Sequence, residues 1–371
     1  MLSAVLISKS PRISVLYTIA ARVSILRIQT NNFKISFINK YYHVLFTGFE
    51  IHTNFTEIQN KTPLHGISML KLFNMQEIDS IISCKEISKA DIVLMTVGYD
   101  RTASHRKGAV EGGNAIIKCL HEDVEFFDRF SKTEPGYDFN FFHHDLGNLN
   151  HLFPEEMVEK VSDEYEKLEN KFVFILGGEH SISTGAFKGL LSKHKPEEVT
   201  VLLIDAHPDL RNDDSNANPD QSRPSKYAHC SVLRRIHEMG YKEVQVGVRS
   251  YAREEYEYWE AHKETIKVYE WLPGEKPSVE KILSSIKTKK IYIEIDVDGI
   301  DPAFMPATGT PVQGGLDWDF TSTLIRQAIE KFELVGAGIL EVAPRSDDVR
   351  TEYGAAQICY NICSQHLLKS K

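Results

Sequence analysis

The segment Asp205-Ala206-His207-Pro208-Asp209 follows directly on the apolar run Val199-Thr200-Val201-Leu202-Leu203-Ile204. Six β-branched and aliphatic residues in a row predict a strand buried on both faces, as in a parallel sheet. Such a strand must be covered by helices on both sides, and an open α/β sheet places its ligands outside the carboxyl ends of its strands. Asp205, His207 and Asp209 alternate, so in extended backbone two carboxylates and an imidazole point to one side. Gathered away from water, they require a counter-charge, and a divalent metal supplies one. Standing alone, the same triplet reads as turn and helix-cap chemistry.

It does not stand alone. Asp296-Val297-Asp298 comes after the apolar stretch Ile291-Tyr292-Ile293, and Gly177-Gly178-Glu179-His180-Ser181 after Phe172-Val173-Phe174-Ile175-Leu176. Parallel strands present their carboxyl ends on one edge of the sheet, so three separate segments would bring hard and borderline metal ligands to one place.

The rest of the chain carries the same rhythm. Strands are predicted over residues 92–97, 139–145, 172–176, 199–204, 243–247, 265–269, 290–295 and 334–341. Between them lie helices that start near 108, at Pro154 and near 229, helices over 253–262, 278–287 and 320–332, and a terminal helix after 351. This alternation predicts a three-layer α/β/α fold around a central, mostly parallel sheet. The longest irregular stretches, 211–228 and 297–317, each follow a candidate ligand segment, where long loops are commonly functional.

Net charge excludes one class of partner. At −9, the 371-residue chain lacks the basic face that nucleic-acid phosphates require. Residues 1–49 hold six Lys/Arg and no acid, leaving 37 basic against 52 acidic residues for the remainder. Residues 1–68 therefore read as an atypical extension: an appendage, a targeting segment, or the result of a start set too far upstream, with Met69 or Met75 as later candidates. Residues 69–371 read as one catalytic domain. Charged residues interrupt every apolar stretch before it reaches the roughly 18 residues of a membrane helix. Cys84, Cys119, Cys230, Cys359 and Cys363 form no Cys-x-x-Cys pair, which favours reduced thiols and a cytoplasmic protein.

Taken in order, the three ligand segments, extended as Ile295-Asp296-Val297-Asp298-Gly299-Ile300-Asp301-Pro302, resemble the metal-binding signatures of the ureohydrolase family, which includes arginase and agmatinase. The resemblance spans residues 97–344. It implies two Mn2+ per subunit, one held by His180, Asp205, Asp209 and Asp296, the other by Asp205, His207, Asp296 and Asp298, with Asp205 and Asp296 bridging. Two metals about 3.5–4 Å apart activate a water they share. The resemblance also implies that Glu341 orients a guanidinium group, that His229 carries a proton to the leaving amine, and that Asp209 takes part in proton transfer. The expected partners are a small cationic guanidino substrate and further copies of the chain in a trimer or hexamer, with no nucleic acid and no membrane.

The segments at 229–236 and 245–250 look more like prokaryotic agmatinases than arginases, and the Asn-Leu-His-Gly element of arginases is missing. Agmatine is the expected substrate, with arginine and an aminopropyl-extended agmatine as alternatives. A non-catalytic relative and a mononuclear zinc deacetylase are the competing classes; the intact ligand set and Glu341 weigh against the first, and the paired Asp-x-Asp against the second. Departures from the family pattern are Glu294 for a usual Ser, Gly113 for a Pro, Ala307 for a Gly, Val312-Gln313 for an acidic-Pro pair, and the course of residues 345–352.

Overall fold

The structure is a computed structural model that describes residues 80–168, 170–216 and 223–369, together with the backbone of four strands nearer the amino terminus. The chain divides into two compact units, Met1–Ile78 and Asp79–Lys371. In the first, Leu2–Ile7 pairs antiparallel with Ser14–Ile19, and Ile25–Thr30 with Phe33–Ile38. The nature of the extension predicted over 1–68 otherwise lies outside the described residues.

The second unit is built on eight strands. They are β1 (Ile92–Gly98), β2 (Phe141–Asn148), β3 (Phe172–Gly177), β4 (Val199–Ile204), β5 (Lys242–Val248), β6 (Ile266–Glu270), β7 (Lys290–Asp296) and β8 (Glu333–Leu340). Their order across the sheet is β6-β5-β4-β7-β8-β3-β1-β2, and every neighbouring pair is parallel. The longer helices are α1 (Gly112–Glu122), α2 (Pro154–Glu166), α3 (Ile182–Leu190), α4 (Val232–Glu238), α5 (Arg253–Ala261), α6 (Val279–Ser285), α7 (Trp318–Lys331) and α8 (Arg350–Lys369).

Alternation along each strand makes two cores. Leu94, Phe174, Leu202 and Ile293 face one side with Ile116 of α1, Leu283 of α6, Leu324 of α7 and Ile358 of α8. Val93, Ile175, Val201 and Tyr292 face the other with Val158 of α2, Phe187 of α3, Leu233 of α4 and Trp259 of α5. The result is three layers, because a sheet apolar on both faces needs two covers.

Local chemistry fixes several boundaries. Ser278 accepts the Lys281 N–H and Asp317 the Phe320 N–H, so each caps the helix that follows it. The segment at 229 begins as a 3-10 turn, His229–Ser231, before α4. β2 starts two residues later than the sequence pattern suggests, because the short helix Pro135–Asp138 occupies the approach. Helix α3 gives no strong sequence signal, since Gly185 and Gly189 disfavour a helix. Packing overrides propensity here: a Cβ on Gly185 would sit 2.7 Å from Val158 O, and one on Gly189 would sit 2.7 Å from Tyr165 Cβ. Small residues let α3 lie close against α2.

Candidate metal centre

Strand register brings the ligand segments together. Leu176 of β3, Ile339 of β8, Ile295 of β7 and Ile204 of β4 form one row across four adjacent strands. One residue further on, Asp296 and Asp205 stand side by side at the carboxyl edge. Beyond β3 the chain turns sharply through Gly178, where a Cβ would come 1.9 Å from Tyr99 O, and delivers His180 to the same point. Beyond β8 it delivers Glu341.

His180 is fully buried, with Nδ1 3.3 Å from Asp205 Oδ2, 3.0 Å from Asp209 Oδ2 and 3.6 Å from Asp296 Oδ2. His207 Nδ1 lies 3.1 Å from Asp298 Oδ2 and 3.7 Å from Asp205 Oδ1. Two groups suited to a metal ion result, His180 with Asp205 and Asp296, and Asp205 with His207 and Asp298; in each, the ligand atoms lie within 4.8 Å of one another. Asp205 belongs to both. Asp209 touches His180 without entering either group, and Asp296 enters only the first.

The side chains are set by their backbone partners. Asp298 accepts the Ala206 N–H at 3.1 Å and the Thr310 hydroxyl at 3.1 Å. Asp205 accepts the His207 N–H at 2.6 Å and Asp296 the Asp298 N–H at 2.9 Å. Asp209 and Glu341 both hold left-handed backbone, with φ of 50° and 63°. Non-glycine residues in that region cost energy and concentrate at functional sites.

Electrostatics show what the cluster lacks. Burial raises Asp296 well above the usual carboxylate range, and Asp298, Asp205 and Glu341 raise it further. Burial and Asp205 push Asp209 up to about 7 against the opposing pull of His180. Burial, then Glu179, raises Glu341 as well. Asp298 goes the other way: its burial is outweighed by His207 and by the hydrogen bonds from Ala206 and Thr310, which hold it near 2. Both imidazoles are raised despite burial, His180 by Asp205, Asp209 and Glu294, His207 by Asp298 and Asp205. His180 Nδ1 and Nε2 and Asp205 Oδ2 have no hydrogen-bond partner. Buried acids in excess of cations, with orphaned ligand atoms aimed at a common centre, fit bound divalent cations.

A cavity of about 310 Å³ opens onto this cluster. His229 and Glu341 line it together with His207, Asp209, Asp296 and Asp298. Burial, then the neighbouring His207 and His180, lowers His229 to about 4, which keeps its ring neutral at physiological pH.

Residues 90–364 match the arginase family. The chain belongs to that family. A relative named N(1)-aminopropylagmatine ureohydrolase from Synechocystis is 30% identical over 282 residues, covering 74% of this chain and 88% of the relative. An agmatinase from Halalkalibacterium halodurans is 28% identical over 275 residues, covering 72% and 89%. The solved agmatine ureohydrolase of Thermoplasma volcanium superposes with a TM-score of 0.66 at 25% identity, covering 81% of this chain and 97% of that one.

Within this arginase-family fold, two of the departures noted in the sequence have structural counterparts. Glu294 is fully buried behind the cluster, with Oε1 3.4 Å from His180 Nε2 and bonded to the Ser183 hydroxyl. At Gly113 a Cβ would approach Leu176 O to 2.6 Å, so α1 sits closer to the sheet here than a Pro would permit. Three further residues bear on the site without having been singled out by pattern. Arg249 donates to Asp298 O at 2.7 Å and Val312 O at 2.6 Å, fastening the loop after β7. Glu179 accepts the Thr102 N–H and the hydroxyls of Thr102 and Ser181, while burial pushes it up to about 7. Thr102 in turn contacts His229. The only sequence signal for Thr102 was its place in the polar loop after β1.

Proposed function

We propose that this arginase-family chain hydrolyses the guanidino group of a small cationic substrate to urea and an amine, with two Mn2+ per subunit and agmatine as substrate. The observation that carries the reading is the shared Asp205, flanked by two candidate ligand groups, with Glu341 and His229 on the wall of one cavity. His180, Asp205 and Asp296, joined by Asp209, would hold one ion, and Asp205, His207 and Asp298, joined by Asp296, the other.

When bound, the two ions would supply Lewis acidity that lowers the pKa of the attacking water. Glu341 offers its carboxylate to the planar guanidinium and fixes the carbon beside the cluster, an orientation worth several powers of ten when the reacting atoms are aligned. Asp209, whose Oδ2 lies 3.0 Å from His180 Nδ1 at the cluster, accepts a proton from the attacking water. Neutral His229 accepts a proton and passes it to the departing amine nitrogen as the C–N bond breaks. The oxygen of water ends in urea and both of its protons end on the amine, the one taken up by Asp209 and the one carried by His229, so both side chains return to their starting state.

A second reading, an aminopropyl-extended agmatine as substrate, is favoured by the name of the Synechocystis relative. A cytoplasmic setting, supported by five free thiols, and assembly into a homo-trimer or hexamer complete the proposal. Sedimentation of the purified chain tests the assembly. No helix among the described residues is long and apolar enough to cross a membrane.

Urea release by the Mn-loaded protein, with agmatine, aminopropylagmatine and arginine at equal concentration, tests the substrate. Agmatine is expected to turn over fastest. Faster turnover of aminopropylagmatine would favour the second reading, and of arginine would overturn both. No urea from any of the three, with two ions bound, would overturn the activity.

A further inference from the structure

Thr102 lies at a junction of three strand-end segments. Its N–H donates to Glu179 Oε2 at 2.8 Å and its hydroxyl donates to Glu179 Oε1. Glu179 is fully buried and is itself fixed, its N–H bonded to Tyr99 O at 2.7 Å and its Oε1 receiving the Ser181 hydroxyl at 2.6 Å. On its other side, Thr102 Oγ1 faces His229, 3.0 Å from the backbone N and 3.4 Å from ring Nδ1.

A threonine hydroxyl has one hydrogen and two lone pairs. With Glu179 ionised, the Thr102 hydrogen points to Glu179 Oε1, the direction this contact takes, and lone pairs alone remain for His229. One accepts the His229 backbone N–H. The other attracts ring Nδ1 only if Nδ1 carries the hydrogen, which in a neutral imidazole leaves Nε2 as the unprotonated nitrogen.

We propose that Thr102, anchored by Glu179, is the positioning residue that seats His229 and selects its Nδ1–H tautomer, presenting Nε2 as the proton-accepting atom. This rests on the reading of His229 as the proton carrier. Thr102 touches no reacting atom; its effect passes through the imidazole. Low burial cost for a single neutral tautomer, set by a fixed acceptor, keeps the base ready without reorganisation at each turnover. The contacts lie 77 and 127 residues apart in the chain, which places the device beyond any local motif.

The test uses Thr102→Val, which keeps the shape and removes the hydroxyl, and Thr102→Ser, which keeps the hydroxyl. Thr102→Val is expected to lower kcat roughly 10- to 100-fold with the agmatine KM and the metal content little changed, and Thr102→Ser to restore most of the loss. Long-range 1H–15N spectra of histidine-labelled protein, with magnesium in place of paramagnetic manganese and His229→Gln to assign the signal, report the tautomer directly. Nδ1–H in the wild type, mixed with or replaced by Nε2–H in Thr102→Val, is the expected result. Nε2–H in the wild type, or full kcat in a folded Thr102→Val, overturns the proposal. Full kcat in His229→Gln would instead remove the proton-carrier reading, while the spectra would still decide what Thr102 does.

Discussion

The backbone N–H of His180 donates to Glu341 Oε1 at 2.8 Å, and the Glu341 N–H donates to Gly178 O at 2.8 Å. The segment after β3 and the segment after β8 are thereby tied to each other beside the cluster. One carboxylate oxygen of Glu341 helps hold the backbone of His180, and the same side chain lines the cavity.

Glu341→Gln separates those roles. The amide oxygen still accepts the His180 N–H, but the charge proposed to meet a guanidinium is gone. Two metal ions per chain should be retained, with kcat/KM for agmatine down by about 10²- to 10³-fold, as for loss of one charged contact to a reacting group. Metal analysis beside steady-state kinetics checks both. Full turnover would take Glu341 out of the mechanism.

Asp205→Asn removes the carboxylate common to both ligand groups. Fewer than two ions should then bind per chain. Ligand held at about 100 times its dissociation constant stabilises a fold by about 2.7 kcal/mol, so the rise in melting temperature on adding Mn2+ should shrink in the variant. An unchanged rise with two ions bound would sink the assignment.

Glu294 and Gly338 form a matched pair. The carboxylate lies where a Cβ on Gly338 would come 2.5 Å from Oε2. Gly338→Ala should cost about 1–3 kcal/mol by overpacking, and most of that cost should vanish in the Glu294→Ser background. Glu294→Ser by itself should weaken metal binding about 10- to 100-fold, as for loss of an anion behind a ligating histidine. Urea unfolding of the metal-free variants and calorimetric titration with Mn2+ provide the two readings. Additive costs in the double variant would show that the pair does not interact.

His366 gives a pH dependence remote from the site. Its ring stacks on Phe172 with centroids 4.0 Å apart, and burial, then Lys369, lowers it to about 4. The unfolded chain takes up this proton near 6.5, so between 6.5 and 4 the unfolded state binds more protons than the folded one. The stabilisation is complete above that window and is lost as pH falls through it, by up to roughly 3 kcal/mol. Replacement by Phe should flatten the profile of unfolding free energy over this range. A wild-type slope in His366→Phe would refute the assignment.

The sequence by itself determined the layered fold and the candidate ligand segments, because both are written in short, local patterns. Apolar runs of strand length specify a doubly covered sheet, and Asp205-x-His207-x-Asp209 and Asp296-x-Asp298 carry their spacing with them. It determined less about α3, whose glycines follow from the close approach of α2, a contact invisible to propensity. Only the tertiary structure decided that β3, β8, β7 and β4 are consecutive neighbours, since strand order depends on crossovers that no local run encodes. That order sets Asp205 beside Asp296, ties Glu341 to His180, and joins Thr102 to His229 through a hydroxyl whose direction is fixed by a carboxylate 77 residues further along the chain.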